Sequence, residues 1–64
     1  MYILWIDYAS EGQIFQGLFP SREAATAAME DIVSEEGYLA FDLYMTPVTA
    51  DGSPLGERTY YKDI

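Results

Sequence analysis

A chain of 64 residues with a formal net charge of −8, half of it hydrophobic and 16% aromatic, is one small domain, residues 1–64, with enough apolar material to fold. It has no cysteine and no histidine, so disulfides, zinc knuckles, thiol nucleophiles and the commonest general base are excluded. Three Lys and Arg against eleven Asp and Glu cannot form a phosphate track, which excludes direct nucleic-acid binding, and an anionic membrane is disfavoured for the same reason.

The opening "MYILWIDY" is too short and too soon charged for a signal peptide or a spanning helix. Together with the lack of cysteine, this sets the expectation of a reducing, cytoplasmic location. Residues 2–8, "YILWIDY", are aromatic and β-branched and predict a first strand. "SEGQ" is a turn signal in which Gly12 can take positive φ, and 13–19, "QIFQGLF", predict a second strand ended by Pro20. Ser21 is placed to cap a helix over "SREAATAAMEDIVSEE". Ala25, Ala28, Met29 and Ile32, flanked by Val33, form its apolar stripe, while Glu23, Thr26, Glu30 and Ser34 point away. Gly37 is expected as a left-handed stop. Residues 38–48, "YLAFDLYMTPV", predict a long third strand ending near Pro47. "TADGSPLGE" reads as a turn-rich loop, and 58–62, "RTYYK", as a short last strand.

These elements make an α+β fold of ββαββ type. Strand three can return beside strand one, which predicts a four-stranded antiparallel sheet of order 2-1-3-4 with one helix on one face. Leu39, Phe41, Leu43 and Met45 alternate and are expected to face the helix. A two-residue hairpin at Glu11-Gly12 would set Tyr8 opposite Phe15, Ile6 opposite Gly17 and Leu4 opposite Phe19, completing the core. The second face would then carry Ile3, Trp5, Ile14, Leu18, Tyr38 and Tyr44, with Asp7, Gln16 and Asp42 among them. Aromatic anchors beside acid are the composition of a contact surface.

Catalysis has little to work with. Paired carboxylates can act as general acid and base, but only in a concave, desolvated site. There is no Gly-rich phosphate loop, and "DGSPLGE" lacks the spacing of a calcium loop. Tyr60 and Tyr61 could stack on bases, but no basic groove accompanies them. The expectation is therefore a protein that is not an enzyme and has no catalytic residue, metal or cofactor.

The stretch "MEDIVSEEG", residues 29–37, holds four carboxylates and no base. Glu35 and Glu36 fall at the helix C-terminus and Arg22 at its start, each opposed to the helix dipole at a cost of about 0.3–1 kcal/mol when exposed. Glu30 and Asp31 find no lysine four residues on. A solvated acidic face is the plain account. The functional account is a row of carboxylates, Glu30, Asp31, Glu35 and Glu36, held on a rigid helix in imitation of phosphates, which Asp7 and Asp42 could extend.

In size, charge and ββαββ layout, with acid concentrated in "MEDIVSEEG", the whole chain resembles the small phage-encoded inhibitors, the anti-CRISPR proteins and other DNA mimics. The resemblance implies a protein that binds the basic surface of a nucleic-acid-handling host protein and blocks it; no residue is carried over from it. The competing expectation is a small structural or assembly module, a weak homodimer whose seam is the face of Trp5 and Tyr44. A mimic needs its carboxylates and weakens steeply with salt, whereas an assembly module needs its aromatics and responds little.

Overall fold

The computed structural model describes residues 1–8, 10 and 12–64. Its elements are β1 (Tyr2–Tyr8), β2 (Gly12–Phe19), α1 (Arg22–Glu35), a 3-10 helix (Gly37–Phe41), β3 (Leu43–Pro47), β4 (Thr59–Tyr60) and a closing 3-10 turn (Tyr61–Asp63). The four strands form one antiparallel sheet in the order β2-β1-β3-β4, and α1 packs on one face. The α+β class, strand order and helix placement are those expected from the sequence.

The helix begins where the sequence places its cap. The Ser21 side chain accepts a hydrogen bond from the Ala24 amide at 3.1 Å, and its carbonyl accepts from Ala25. Ala25 and Met29 are buried, with Ala28, Ile32 and Val33 packed beside them. Opposite, β1 contributes Leu4 and Ile6, and β3 contributes Leu43 and Met45, which pair across the strands as Leu4↔Met45 and Ile6↔Leu43. Leu39 closes the end of this core. Each such side chain contributes about 1.5–3 kcal/mol by leaving water.

Three sequence expectations are corrected. First, the strand predicted over 38–48 starts only at Leu43. The segment before it must carry the chain from the helix layer to the sheet, and it satisfies its backbone locally: Leu39 N–H bonds the Glu36 carbonyl and Asp42 N–H the Leu39 carbonyl, each at 3.0 Å. Side chains three apart in a 3-10 helix eclipse, so burying Leu39 turns Tyr38 and Phe41 outward together. Phe41 is 70% exposed and is no part of the core. Gly37 does not take the left-handed conformation; positive φ occurs at Gly12 (78°) and Gly52 (90°).

Second, the β1–β2 register differs. Tyr8 opposes Gly12, Ile6 opposes Ile14 and Trp5 opposes Phe15; a bulge then leaves Gln16 as the extra residue, and Leu4 opposes Gly17. The bulge reverses the alternation along β2. Ile14 before it and Phe19 after it both pack on the core, while Phe15 stands on the outer face beside Trp5. Regular alternation puts Ile14 outside and Phe15 inside, and the bulge reverses both. The expected tight turn involves Glu11, which lies outside the described residues, as does the expected placement of the Tyr8 side chain.

Third, the last strand is Thr59–Tyr60 alone, pairing Tyr44↔Tyr60 and Met45↔Thr59. The loop before it is held by a Val48↔Pro54 bridge and a tight turn. There Asp51 accepts from the Thr49 hydroxyl and the Ser53 amide, and these two bonds hold its carboxyl below the usual range.

Candidate functional site

Two surfaces carry the residues singled out from the sequence. One is the exposed side and C-terminal end of α1. Glu30, Asp31, Glu35 and Glu36 are all exposed there, and the last turn of the helix holds no basic residue. Glu36 is the C-cap, its amide donating to the Ile32 carbonyl at 2.8 Å. The 3-10 helix follows directly and adds Tyr38, 66% exposed, and Phe41. Large rings this open to water, anchored by a buried Leu39 between them, make the acidic helix end also an aromatic one.

Asp7 and Asp42 meet at one end of the sheet, where the Asp7 amide donates to the Asp42 carbonyl at 2.9 Å. Both are half-buried. Asp42 caps the 3-10 helix that carries Phe41, so this pair continues from the acidic helix end along the chain. Asp7 forms no pair with β3, since β3 begins at Leu43, and this backbone bond is what brings the two acidic residues together.

The other surface is the sheet face away from α1. Phe15, Trp5, Tyr44 and Tyr60 stand on one cross-strand row through β2, β1, β3 and β4. Trp5 meets Phe15 edge-on with centroids 5.7 Å apart, and Tyr44 lies 5.2 Å from Tyr60. Arg58 sits 4.7 Å above the Tyr44 ring and Lys62 5.5 Å from that of Tyr60, so two of the three cations of the chain lie over this row. Tyr44 is thereby covered and only 2% exposed. Burial raises its hydroxyl pKa above the ordinary tyrosine value, against the opposing effect of Arg58. A partner reaching this face would meet Phe15, Leu18 and the half-buried Trp5, not Tyr44.

Tyr38 and Phe41 are the residues that sequence reasoning placed elsewhere. The signal for them is their spacing of three around Leu39, which fits a 3-10 turn as well as a strand. A shallow groove of about 460 Å³ runs along Thr46, Pro54, Glu57 and Arg58, and another of about 330 Å³ along Arg22, Glu23, Thr26 and Glu30. Among the described residues no group of three acidic side chains converges to hold a metal ion, and no helix is long and apolar enough to cross a membrane. No protein-family model, no curated protein and no solved structure matches this chain.

Proposed function

We propose that this chain is a non-catalytic, protein-binding inhibitor that acts in the cytoplasm by occupying the basic, nucleic-acid-binding surface of a host protein. The reading rests on one observation: Glu30, Asp31 and Glu35 on α1 and Glu36 at its C-cap stand exposed, and the turn that follows exposes Tyr38 and Phe41. Carboxylates alone would attract any cation. Carboxylates next to open aromatic rings suit arginine, whose planar guanidinium accepts a bidentate carboxylate and stacks on a ring. Surfaces that hold nucleic acid present arginines for phosphates and bases alike, and acid followed by rings supplies a counterpart of both. The net charge of −8 would steer such an encounter. Asp7 and Asp42 extend the contact from the sheet end, and Trp5 with Phe15 remains outside it.

Glu35 and Glu36 also oppose the helix dipole, which fits selection for binding over helix stability. The test is the fourfold variant Glu30→Lys, Asp31→Lys, Glu35→Lys and Glu36→Lys, compared with the parent for inhibition of DNA- or RNA-handling complexes in the presence of competing nucleic acid. The parent competes with nucleic acid and weakens steeply as salt rises, and the variant loses inhibition while keeping its helix. Full inhibition by the variant, or inhibition indifferent to nucleic acid, removes this reading.

A further inference from the structure

The two edges of the sheet are built differently. β4 is two residues long and lies between Arg58 and Lys62, and short length with flanking cations is the usual protection of an exposed edge. β2, at the opposite edge, runs Gly12–Phe19 and holds none of the charged residues of this strongly acidic chain. Among the described residues, no backbone hydrogen bond from a loop or helix reaches it. Its outer face shows Phe15 and Leu18, 56% and 48% exposed.

We infer that β2 is a self-association edge: two copies of this chain pair β2 antiparallel about a two-fold axis normal to the sheet, joining their sheets into one. The Gln16 bulge selects the register. An antiparallel pair about such an axis keeps each face continuous, so an outer residue must oppose an outer one and an inner residue an inner one. In an unbulged strand only residues an even number of positions apart share a face. Here the bulge sets Phe15 and Leu18 on the outer face and Ile14 and Phe19 on the inner. With the axis between Gln16 and Gly17, Phe15 opposes Leu18 of the second copy and Ile14 opposes its Phe19. Every apolar side chain of the strand then finds an apolar partner, and this self-match commits the edge to a second copy.

Charge points the same way. Two chains of net charge −8 repel, and they can approach closely only along a strip without carboxylates; β2 is that strip, while Glu30, Asp31, Glu35 and Glu36 lie on α1 and its cap. An edge of this length spans about 27 Å. One paired edge buries less than the roughly 800 Å² per partner of a standard interface, so the dimer forms at high concentration and dissociates on dilution.

Sedimentation or light scattering from micromolar to millimolar protein tests this. The mass rises from 7.2 kDa toward twice that value. Raising salt to about 0.15 M, where the Debye length is about 8 Å, strengthens the dimer, opposite to the salt response of the inhibitory contact. Leu18→Glu weakens association roughly tenfold or more by setting a charge against Phe15. Leu18→Lys does the same although it lowers the net charge, so general repulsion cannot account for the loss. Lys62→Ala, at the protected edge, leaves the dimer unchanged. A 7.2 kDa mass at every concentration, or folded Leu18→Glu and Leu18→Lys proteins that associate like the parent, overturns the inference.

Discussion

Ile14 and Phe19 lie an odd number of positions apart on one strand, yet both pack against the same core. Strict alternation forbids this, and the bulge at Gln16 permits it by inserting one residue that β1 does not match. The same device turns Phe15 outward against Trp5 and so completes the aromatic row of the outer face.

Deleting Gln16 therefore leaves every β1–β2 pair intact and converts the strand to regular alternation. The deletion variant is expected to stay folded, with a denaturation midpoint close to that of the parent. Deleting Ile14 instead puts the neighbours of the bulge on the wrong faces and empties a site beside Ile6. Urea titrations of the two deletions distinguish them, and equal loss of structure in both would refute the account of the bulge.

Leu43 and Phe41, two residues apart, are expected to respond in opposite ways to truncation. Leu43 is fully buried, and Leu43→Ala costs about 2–5 kcal/mol, enough to unfold much of a domain this small. Phe41→Ala removes an exposed ring and shifts stability by no more than about 0.5 kcal/mol. If Phe41 meets a partner, its truncation shows in binding alone. Thermal melts of both variants check the contrast.

Gly37 and Gly52 make a similar pair. A Cβ at Gly37 meets nothing within 4 Å and its φ is not positive, so Gly37→Ala is expected to stabilise by about 0.4–1 kcal/mol through the unfolded chain. Gly52 is equally open but sits at φ 90°, and Gly52→Ala is expected to cost about 1–2 kcal/mol. The measurement is the change in urea midpoint at constant slope.

Tyr44 sets an alkaline dependence. Burial raises its pKa, so the folded protein keeps this phenol protonated at a pH where an unfolded-chain tyrosine, at about 10, has begun to ionise. The folded state then binds more protons. Its contribution is complete below the unfolded value and is lost as pH rises through the folded one. Stability of the parent should therefore fall more steeply above about pH 10 than that of Tyr44→Phe, and absorbance titration should show one tyrosine ionising late.

Much of the fold was legible because it depends on local chemistry. The Ser21 cap, the stripe of Ala25, Met29 and Ile32, the β-rich 2–8 segment and the positive φ at Gly12 follow from short-range preferences that the tertiary structure had no reason to override. Direction alone then places β3 beside β1 and yields the strand order. The exposed carboxylates of the helix were legible for the same reason: Glu30, Asp31 and Glu35 fall where helical periodicity puts them, off the stripe, whereas Glu36, four residues after Ile32 and so in line with it, is exposed because the helix ends there.

The four strands, the α-helix, their order and the acidic side of that helix thus follow from the residues alone. Which rings face water depends instead on how the layers assemble. The sequence "YLAFD" alternates like a strand, but the last β1–β3 pair is Ile6↔Leu43, with only the Asp7 amide reaching on to the Asp42 carbonyl, and the chain has to cross from the helix layer to the sheet. It does so in a 3-10 turn, whose period of three buries Leu39 and exposes Tyr38 and Phe41. Likewise "QIFQGLF" does not announce its bulge, because the extra residue exists only relative to the strand it pairs with. Tyr44 is covered because β4 brings Tyr60 and Arg58 over it from far along the chain. Periodicity reports what each residue prefers beside its neighbours in sequence; burial depends on what arrives from elsewhere, and that is a property of the assembled layers.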